Sequence, residues 1–393
     1  MARPNRRDVL TDGEVQIVHC VNRCVRRAFL CGNDALTGRN YDYRRQMIRH
    51  RLEFLAGIMA IEVLGYSILS NHFHTILRSR PDVVRTWSDE EIVLKWWMLC
   101  PARRNHDGSP AQPTDHELRT LLANRHGIKE KRRRLSSISW CMRFVCERIA
   151  RQSNREDNCT GRFWEGRFKA QVLQNDAAIL ACLQYVDLNP LRAGIARTIE
   201  DSDFTSVQDR IRDLQYAVAQ HATGAAPSDA TSSDTNSPLP AAALNTAQDP
   251  VRDCAEARAT DRNHFDLAVE HGSRAGWLAP VPLEPQQQAV RVASTSRRAS
   301  NKGFLALELG EYLQLLDWTA CQISTHQRNA PPDQISPLFD RLEIPAELWV
   351  DSVLNFRRWF RSAIIGPETI LNRNQNPAAK RLVLQQTACH TQA

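Results

Sequence analysis

The first 210 residues alternate between strand-like and helix-like spacing of hydrophobic side chains. Residues 15–23 are rich in β-branched side chains, which predicts a first strand. Apolar side chains then recur every three or four positions over residues 41–61, with arginines on much of the opposite face, as in an amphipathic helix. Two further strands are predicted over residues 62–69 and 72–78, joined by a tight turn. Strands and helices are therefore mixed along this half of the chain.

Residues 81–130 interrupt the alternation and are predicted to be an insertion, with one capped helix near its start followed by a polar loop that contains prolines. A basic helix over residues 136–154 and a strand that ends at Leu173 come next. The following helix is predicted over residues 177–188, with Asp176 as its N-cap. A proline two residues later ends it, since the residue before proline avoids the helical region.

The apolar pattern fades after this first domain, which is predicted to span residues 1–210. Residues 211–300 are dominated by small and polar side chains and are predicted to be a flexible, low-complexity linker. Residues 301–393 are predicted to form a small helical accessory domain, either a DNA-binding unit or an oligomerisation module. Its helical spacing occurs in three stretches, residues 309–325, 335–342 and 347–364.

Composition limits the class of protein. The chain has 393 residues and a formal net charge of +7, which favours polyanionic partners. It contains no apolar run long enough to span a membrane, and no apolar segment follows its basic amino terminus, so a cytoplasmic protein is expected. Eleven cysteines are scattered without a Cys-x-x-Cys pair, which suits reduced thiols better than a zinc ribbon or a disulfide framework.

The first candidate for chemistry is the pair His72 and His74. On a strand both side chains project from one face and Phe73 projects from the other, because side chains alternate with period two. Two neighbouring imidazoles can bind one divalent metal ion. The alternative is that both histidines are solvated or hydrogen-bonded on an exposed strand, and the pair alone does not decide between these interpretations.

The second candidate is a basic region around the predicted helix over residues 136–154. A basic helix can bind nucleic acid, or its charges can simply face solvent. In residues 161–169 basic and aromatic side chains are interleaved, which suits phosphate contacts combined with base stacking, although an ordinary edge strand would look similar. The candidate DNA contacts are Arg132, Arg133, Arg134, Arg143, Arg148, Arg151, Arg162, Trp164, Arg167, Lys169 and Arg192.

The third candidate is the pair Tyr185 and Asn189, which lie four residues apart and would share one face of a helix. A tyrosine beside a metal ion can act as a nucleophile once its phenol is activated. The amide oxygen of Asn189 could complete a two-histidine site for a hard cation. The competing interpretation is a packing tyrosine followed by a helix-capping asparagine.

Four segments together resemble the REP-associated tyrosine transposases, a group of single-tyrosine HUH transposases. They occur in that family's order over about residues 13 to 210, roughly half of the chain. The segments are IVHCVNR (17–23), NHFH (71–74), GRFWEGRF (161–168) and YVDLNPLRAG (185–194). The sequence departs from the family in the turn before the histidine pair, in the insertion and beyond residue 210.

The resemblance implies a ferredoxin-like α+β domain with an antiparallel sheet. By motif position, His72 and His74 would be metal ligands, Asn189 the third ligand and Tyr185 the nucleophile. The implied activity is DNA transposition: an enzyme that binds hairpin or palindromic DNA and cuts and rejoins single strands through a 5′-phosphotyrosine intermediate. With an asparagine oxygen and DNA phosphate in the shell, Mg²⁺ or Mn²⁺ is expected rather than structural zinc.

Two other functions remain open at this stage. The chain could be a domesticated, non-cleaving and sequence-specific DNA-binding protein of the same fold. It could also be a metal-dependent phosphodiesterase that makes no covalent intermediate. The sequence allows a homodimer.

Overall fold

The computed structural model describes residues 9–25, 30–33, 38–223, 274–283, 297–325, 330–342, 344–356 and 364–365. Within these ranges one sheet has the strand order β2-β3-β1-β4-β5. Its first four strands are antiparallel, and the short β5 is parallel to β4. The strands are β1 (Ile17–Arg23), β2 (Ile61–Ile68), β3 (His72–Ser79), β4 (Lys169–Leu173) and β5 (Ile364–Ile365). A mixed fold with a four-stranded antiparallel sheet and packed helices is therefore confirmed.

One face of the sheet is covered by helices from the first half of the chain. Phe73 and Leu77 of β3 share a core here with buried side chains of α1 and α6. The insertion also lies on this side and contributes Ile92, Val93 and Ile128 to the same core. The helices are α1 (Tyr43–Ile58), α2 (Pro81–Thr86), α3 (Asp89–Leu99), α4 (Asp115–Ala123), α5 (Arg125–Leu135) and α6 (Ile138–Glu156).

The opposite face is covered by later helices. All twelve residues of α7 except its first are buried, and they share a core with Ile76 of β3 and with α10 to α12. The helix α9 begins next to the edge strand β2, where Thr205 bridges to Ser67. These helices are α7 (Asp176–Asp187), α8 (Asn189–Arg192), α9 (Ser206–Thr223), α10 (Leu309–Thr325), α11 (Ser336–Leu342) and α12 (Ala346–Leu354).

A glycine allows α7 to approach the sheet closely. Gly65 lies at an irregularity in β2, where the register with β3 shifts. A Cβ atom at this position would lie 2.4 Å from Leu183 Cδ1 and 3.2 Å from Ser206 Oγ. Because both partners are buried, a larger side chain would push α7 away from the sheet.

The prediction of a flexible linker over residues 211–300 is wrong for the parts that the structure describes. The helix α9 continues into it, and residues 274–283 pack against the first domain. Trp277 is fully buried beside Tyr66, and Ala279 donates a backbone hydrogen bond to Val63. A tryptophan and its apolar neighbours can bury area that the polar composition of the surrounding stretch conceals.

Helices are present in all three stretches predicted to be helical after residue 300. Their buried side chains form one core with α7 instead of a core of their own. Buried Glu62 pairs with Arg78 and Arg80. Arg78 also donates to the carbonyl of Gly303, and this contact ties residues 300–303 to the sheet. Residues 301–356 are therefore built onto the sheet wherever the structure describes them.

Smaller differences from the sequence predictions concern element ends. The strand predicted to end at Leu173 is regular only from Lys169, and Asn175, not Asp176, caps α7 by accepting from the Ala178 amide. The cysteines that the structure describes form no disulfide with one another. No helix within the described ranges combines the length and apolar character needed to cross a membrane.

Candidate active site

The histidine pair lies on the sheet face that α7 covers. His72 and His74 alternate with Phe73 along β3, and Phe73 belongs to the core on the other side. The two imidazole rings have their centroids 4.9 Å apart. Two imidazoles that bind one metal ion place their ring centres roughly 4.5–5.5 Å apart, since metal–nitrogen bonds are about 2.1 Å long. The pair therefore has a spacing that suits a shared ion.

A third histidine, His19 on β1, which was not predicted from the sequence as a site residue, completes a cluster with His72 and His74. Its Nε2 atom is 2.9 Å from His74 Nδ1, and the two rings are nearly parallel, with centroids 5.1 Å apart. On its other side, His19 Nδ1 is 3.1 Å from Gln171 Oε1 on β4. The strand pattern placed His19 on a strand, but only the pairing of β1 with β3 brings it to His74.

Tyr185 lies on α7 directly above this cluster. Its ring centroid is 5.5 Å from that of His74 and 6.1 Å from that of His19, in edge-to-face contacts. Residues 74 and 185 are far apart in sequence, and the packing of α7 on β3 joins them. The structure therefore brings the predicted nucleophile to the predicted metal-binding histidines.

Arg192, predicted from sequence as a DNA contact, also lies at Tyr185. Its guanidinium carbon is 4.9 Å from the centroid of the Tyr185 ring. The short helix α8 follows α7 almost without interruption, so Arg192 is about two turns beyond Tyr185 on the same side. A cation in this position can hold a phosphate next to the phenol oxygen.

The carboxyl-terminal layer covers Tyr185, which is only 3% exposed. Phe356 stacks on the Tyr185 ring at a centroid distance of 4.8 Å and contacts His19 edge-on at 5.8 Å. Arg192 Nη2 donates to the carbonyl of Leu354 at 2.5 Å. The end of α12 and the residues just after it therefore occupy the space in front of the candidate nucleophile.

The chemistry of the site fits a divalent cation held by mixed nitrogen and oxygen ligands. In the ranges that the structure describes, no cluster of three or more His, Cys, Asp or Glu side chains has the geometry of a metal site. A cation shared by His72 and His74 would thus need a different third ligand. Asn189, the predicted third ligand, is buried on α8, and its Nδ2 atom has no hydrogen-bond partner among the described residues.

Two more basic side chains lie at the edge of this cluster. Arg23 of β1 is directly opposite His72. Lys169 of β4 and His74 of β3 both lie opposite Val21 of β1, on its two sides, so Lys169 is roughly 10 Å from His74 on the same face. Both are exposed. Arg23, which the sequence analysis did not select, can be found only from the β1–β3 register. With Arg192 they form a cationic rim around the histidines.

The other predicted DNA contacts are divided between two places. Arg162 and Arg167 are exposed on the segment that joins the end of β1, where Trp164 bridges to Cys24. The remaining arginines lie on the opposite face of the sheet, on α5 and α6, and most of them make ion pairs with Asp12, Asp89, Glu130 or Glu147. They are Arg132, Arg133, Arg134, Arg143, Arg148 and Arg151.

The prediction that Trp164 stacks on a DNA base is wrong for this structure. Trp164 is 8% exposed, packs edge-to-face on Phe73 and donates its indole hydrogen to the carbonyl of Cys146. Phe163 and Phe168 are buried as well. The aromatic residues of this segment anchor it to the core because they are its only large apolar groups, and the arginines between them face solvent.

Buried polar contacts fix the helix that carries Tyr185. Asp187 is 1% exposed and accepts hydrogen bonds from Ser206 Oγ at 2.6 Å and from Tyr312 Oη at 2.5 Å. Burial raises the pKa of the Asp187 carboxyl above its ordinary value. Gln184 accepts from Thr319 and from the Trp349 indole. The orientation of α7 thus depends on the carboxyl-terminal layer.

Comparison with known proteins gives one distant likeness. No protein-family model matches the chain, and comparison with curated proteins gives no match. Among solved structures, the chain is similar to the structure of a REP-associated tyrosine transposase bound to a REP hairpin. The similarity covers 62% of this chain and 100% of that chain, at 15% sequence identity and a TM-score of 0.31. It is a distant likeness of fold, which by itself assigns no function to this chain.

Proposed function

We propose that this protein is a metal-dependent tyrosine DNA transposase that cuts and rejoins single strands. The observation that carries the proposal is the placement of the Tyr185 ring 5.5 Å from His74 in a cluster that also holds His72. A phenol, a pair of metal-binding imidazoles and a cationic rim are the groups that phosphodiester transesterification requires. The motif resemblance in the sequence is independent support.

The proposed roles follow from position. His72, His74 and Asn189 would hold Mg²⁺ or Mn²⁺, which when bound polarises the scissile phosphate and stabilises charge on its oxygens. Arg192 would fix the phosphate beside the phenol oxygen, because its guanidinium lies over the Tyr185 ring. Arg23 and Lys169 would bind the neighbouring backbone phosphates, since both are exposed on the same sheet face.

The covalent step exchanges one phosphodiester for another. The Tyr185 phenol oxygen attacks phosphorus and loses its proton, while the bond from phosphorus to the 3′ oxygen breaks and that oxygen takes up a proton. The products are a 5′-phosphotyrosine and a free 3′-hydroxyl. Because the phosphodiester bond is kept in the intermediate, a second 3′-hydroxyl can reverse the step and join a new strand without ATP.

Access to Tyr185 requires movement of the carboxyl-terminal layer. Phe356 is fully buried against the Tyr185 ring, and the Arg192 guanidinium is bonded to Leu354. A DNA strand cannot bring a phosphate to the phenol oxygen while this contact is in place. We therefore infer that the described structure is a closed state and that DNA binding displaces the end of α12 together with Phe356.

The finer fold and partner assignments are also part of the proposal. The order of elements, β-α-β-β-α-β with sheet order β2-β3-β1-β4, supports a ferredoxin-like catalytic domain. The cationic rim at the end of the sheet, with Arg162 and Arg167 nearby, suits single-stranded or hairpin DNA. Such a DNA substrate would be met in the cytoplasm.

The test is formation of a covalent adduct. Purified protein is incubated with a 5′-labelled and a 3′-labelled single-stranded hairpin oligonucleotide and Mn²⁺, and products are separated under denaturing conditions. The proposal expects a protein-linked fragment that carries the 3′ label and that disappears in Tyr185→Phe and in His72→Ala. Tyr216→Phe is the matched control, because Tyr216 is exposed on α9, away from the cluster. An adduct that persists in Tyr185→Phe refutes the nucleophile assignment.

A second candidate function is favoured by the burial of Tyr185. A non-cleaving DNA-binding protein of the same fold could keep the cationic rim while the carboxyl-terminal layer permanently covers the tyrosine. It would bind hairpin DNA with strong salt dependence and form no adduct with any metal ion, even when Phe356 is replaced by alanine. Cleavage that tolerates Tyr185→Phe would instead indicate a phosphodiesterase without a covalent intermediate.

A further inference from the structure

A hydrogen-bonded row of three side chains, Gln171, His19 and His74, runs across the sheet face that carries the histidine pair. Gln171 on β4 lies directly opposite His19 on β1, and His74 on β3 lies opposite Val21, two residues along β1 from His19. The row joins Gln171 Oε1 to His19 Nδ1 at 3.1 Å and His19 Nε2 to His74 Nδ1 at 2.9 Å. His19 and His74 are 2% and 0% exposed.

With both imidazoles neutral, one arrangement of protons satisfies the row. An amide oxygen can only accept, so His19 Nδ1 carries the proton that it donates to Gln171. The Nε2 atom of a neutral His19 is then an acceptor, so His74 Nδ1 must carry the proton between the two rings. This leaves the lone pair of His74 on Nε2. A metal ion requires such a lone pair on one ring nitrogen.

The sequence context argues against a purely space-filling role for His19. Its neighbours on the same face of β1 are Ile17 and Val21, and it is more buried than either. A buried imidazole costs free energy unless its nitrogens are hydrogen-bonded, and an apolar side chain would fill the same place without this cost. The polar residue is explained if its two nitrogens act between Gln171 and His74.

We propose that His19, held by Gln171, is a positioning residue that fixes the tautomer and ring orientation of His74 for metal binding. The inference rests on the proposed function and names a second layer behind its metal ligands. Metal-binding histidines commonly donate their other ring hydrogen to a fixed acceptor, and loss of that acceptor weakens metal affinity roughly 10- to 100-fold. On the other ligand, His72 Nδ1 donates to Asn71 Oδ1 at 2.5 Å in the same way.

Two measurements on the full chain test the proposal. Mn²⁺ affinity is measured from the electron paramagnetic resonance signal of the free ion, without DNA. The tautomer of His74 is read from its ¹⁵N chemical shifts in histidine-labelled protein without metal, with His74→Gln used to assign the signals. His19→Phe should weaken Mn²⁺ binding roughly 10- to 100-fold and shift His74 away from the Nδ1–H form. Gln171→Leu should act in the same direction.

Two further variants separate positioning from packing. His19→Gln supplies an amide oxygen near the position of Nε2 and should recover most of the Mn²⁺ affinity that His19→Phe loses. Val21→Ala removes side-chain volume next to His74 without touching the row and should change the affinity less than about twofold. Thermal unfolding of each variant verifies that it is folded.

Either of two results would overturn the proposal: unchanged Mn²⁺ affinity and His74 tautomer in a folded His19→Phe variant, or a His19→Gln variant that binds no better than His19→Phe. If only the DNA chemistry is misassigned, the wild type will form no adduct, while the effects on Mn²⁺ affinity and tautomer remain as described. The two failures are therefore distinguishable.

Discussion

Replacement of Phe356 by alanine should accelerate attack by Tyr185. The Phe356 ring makes two aromatic contacts with the site, a stack on Tyr185 at 4.8 Å and an edge contact with His19 at 5.8 Å. Each aromatic pair contributes about 0.5–1.5 kcal/mol beyond the area that it buries. Their loss should favour the open state by about 1–3 kcal/mol, which is about 5- to 150-fold in the opening equilibrium.

The assay is the single-turnover rate of covalent adduct formation with a single-stranded hairpin oligonucleotide and Mn²⁺. While the closed state predominates, the observed rate is proportional to the open fraction, so Phe356→Ala should raise it by the same factor. Phe356→Leu should fall between the wild type and the alanine variant, because an aliphatic side chain still covers Tyr185 but cannot stack on it.

The matched control is Phe144→Ala. Phe144 is a buried phenylalanine on α6, on the other face of the sheet. Truncation of a core phenylalanine to alanine commonly costs about 3–5 kcal/mol, so both variants lose folding stability. Only loss of the Phe356 contact should raise the adduct rate. A folded Phe356→Ala variant with an unchanged or lower rate, or an equal gain in Phe144→Ala, would refute the closed-state explanation.

Three more predictions concern charge. Glu62→Gln leaves buried Arg78 and Arg80 without their carboxylate and should lower the free energy of unfolding by about 3–5 kcal/mol. Glu147 pairs with exposed arginines, so Glu147→Gln should lower it by less than about 1 kcal/mol. Equal losses of the two variants in chemical denaturation would contradict this. Arg23→Ala should reduce the magnitude of the slope of log affinity for hairpin DNA against log salt concentration by about 0.7–0.9, as expected for one lost phosphate contact. Arg148→Ala, on α6, should leave this slope unchanged. Burial raises the folded-state pKa of Asp187, so protonation favours the folded form, and the resulting stability should be lost as pH rises above about 4. In urea titrations at several pH values, Asp187→Asn should flatten the dependence of the free energy of unfolding on pH. An unchanged pH dependence in this variant would show that Asp187 does not cause it.

Local pattern was sufficient for much of the fold. Period-two alternation placed His72 and His74 on one side of a strand and Phe73 on the other, and the structure has this arrangement. Helical spacing predicted α10 and α11 within one residue of their observed ends. These features are determined by side chains close together in sequence, so a single chain reveals them.

Pattern failed where a few large side chains outweighed composition. Trp277 lies in a stretch that is polar overall, yet its burial against Tyr66 fastens residues 274–283 to the first domain. The basic and aromatic segment misled in the opposite way, because the interleaving that suggests base stacking by Trp164 is also what a surface segment anchored in a core produces. Composition does not show which side of a segment faces the core.

The sequence by itself determined the parts of the candidate site: the histidine pair, the tyrosine and asparagine one helical turn apart, and the arginines around them. Only the tertiary structure decided which parts meet. The β1–β3 register brings His19 and Arg23 to the histidines, and the packing of α7 on the sheet brings Tyr185 to His74. The carboxyl-terminal layer then places Phe356 over Tyr185. Strand register and helix packing join residues that are distant in the chain, and no local pattern in a single sequence records such contacts.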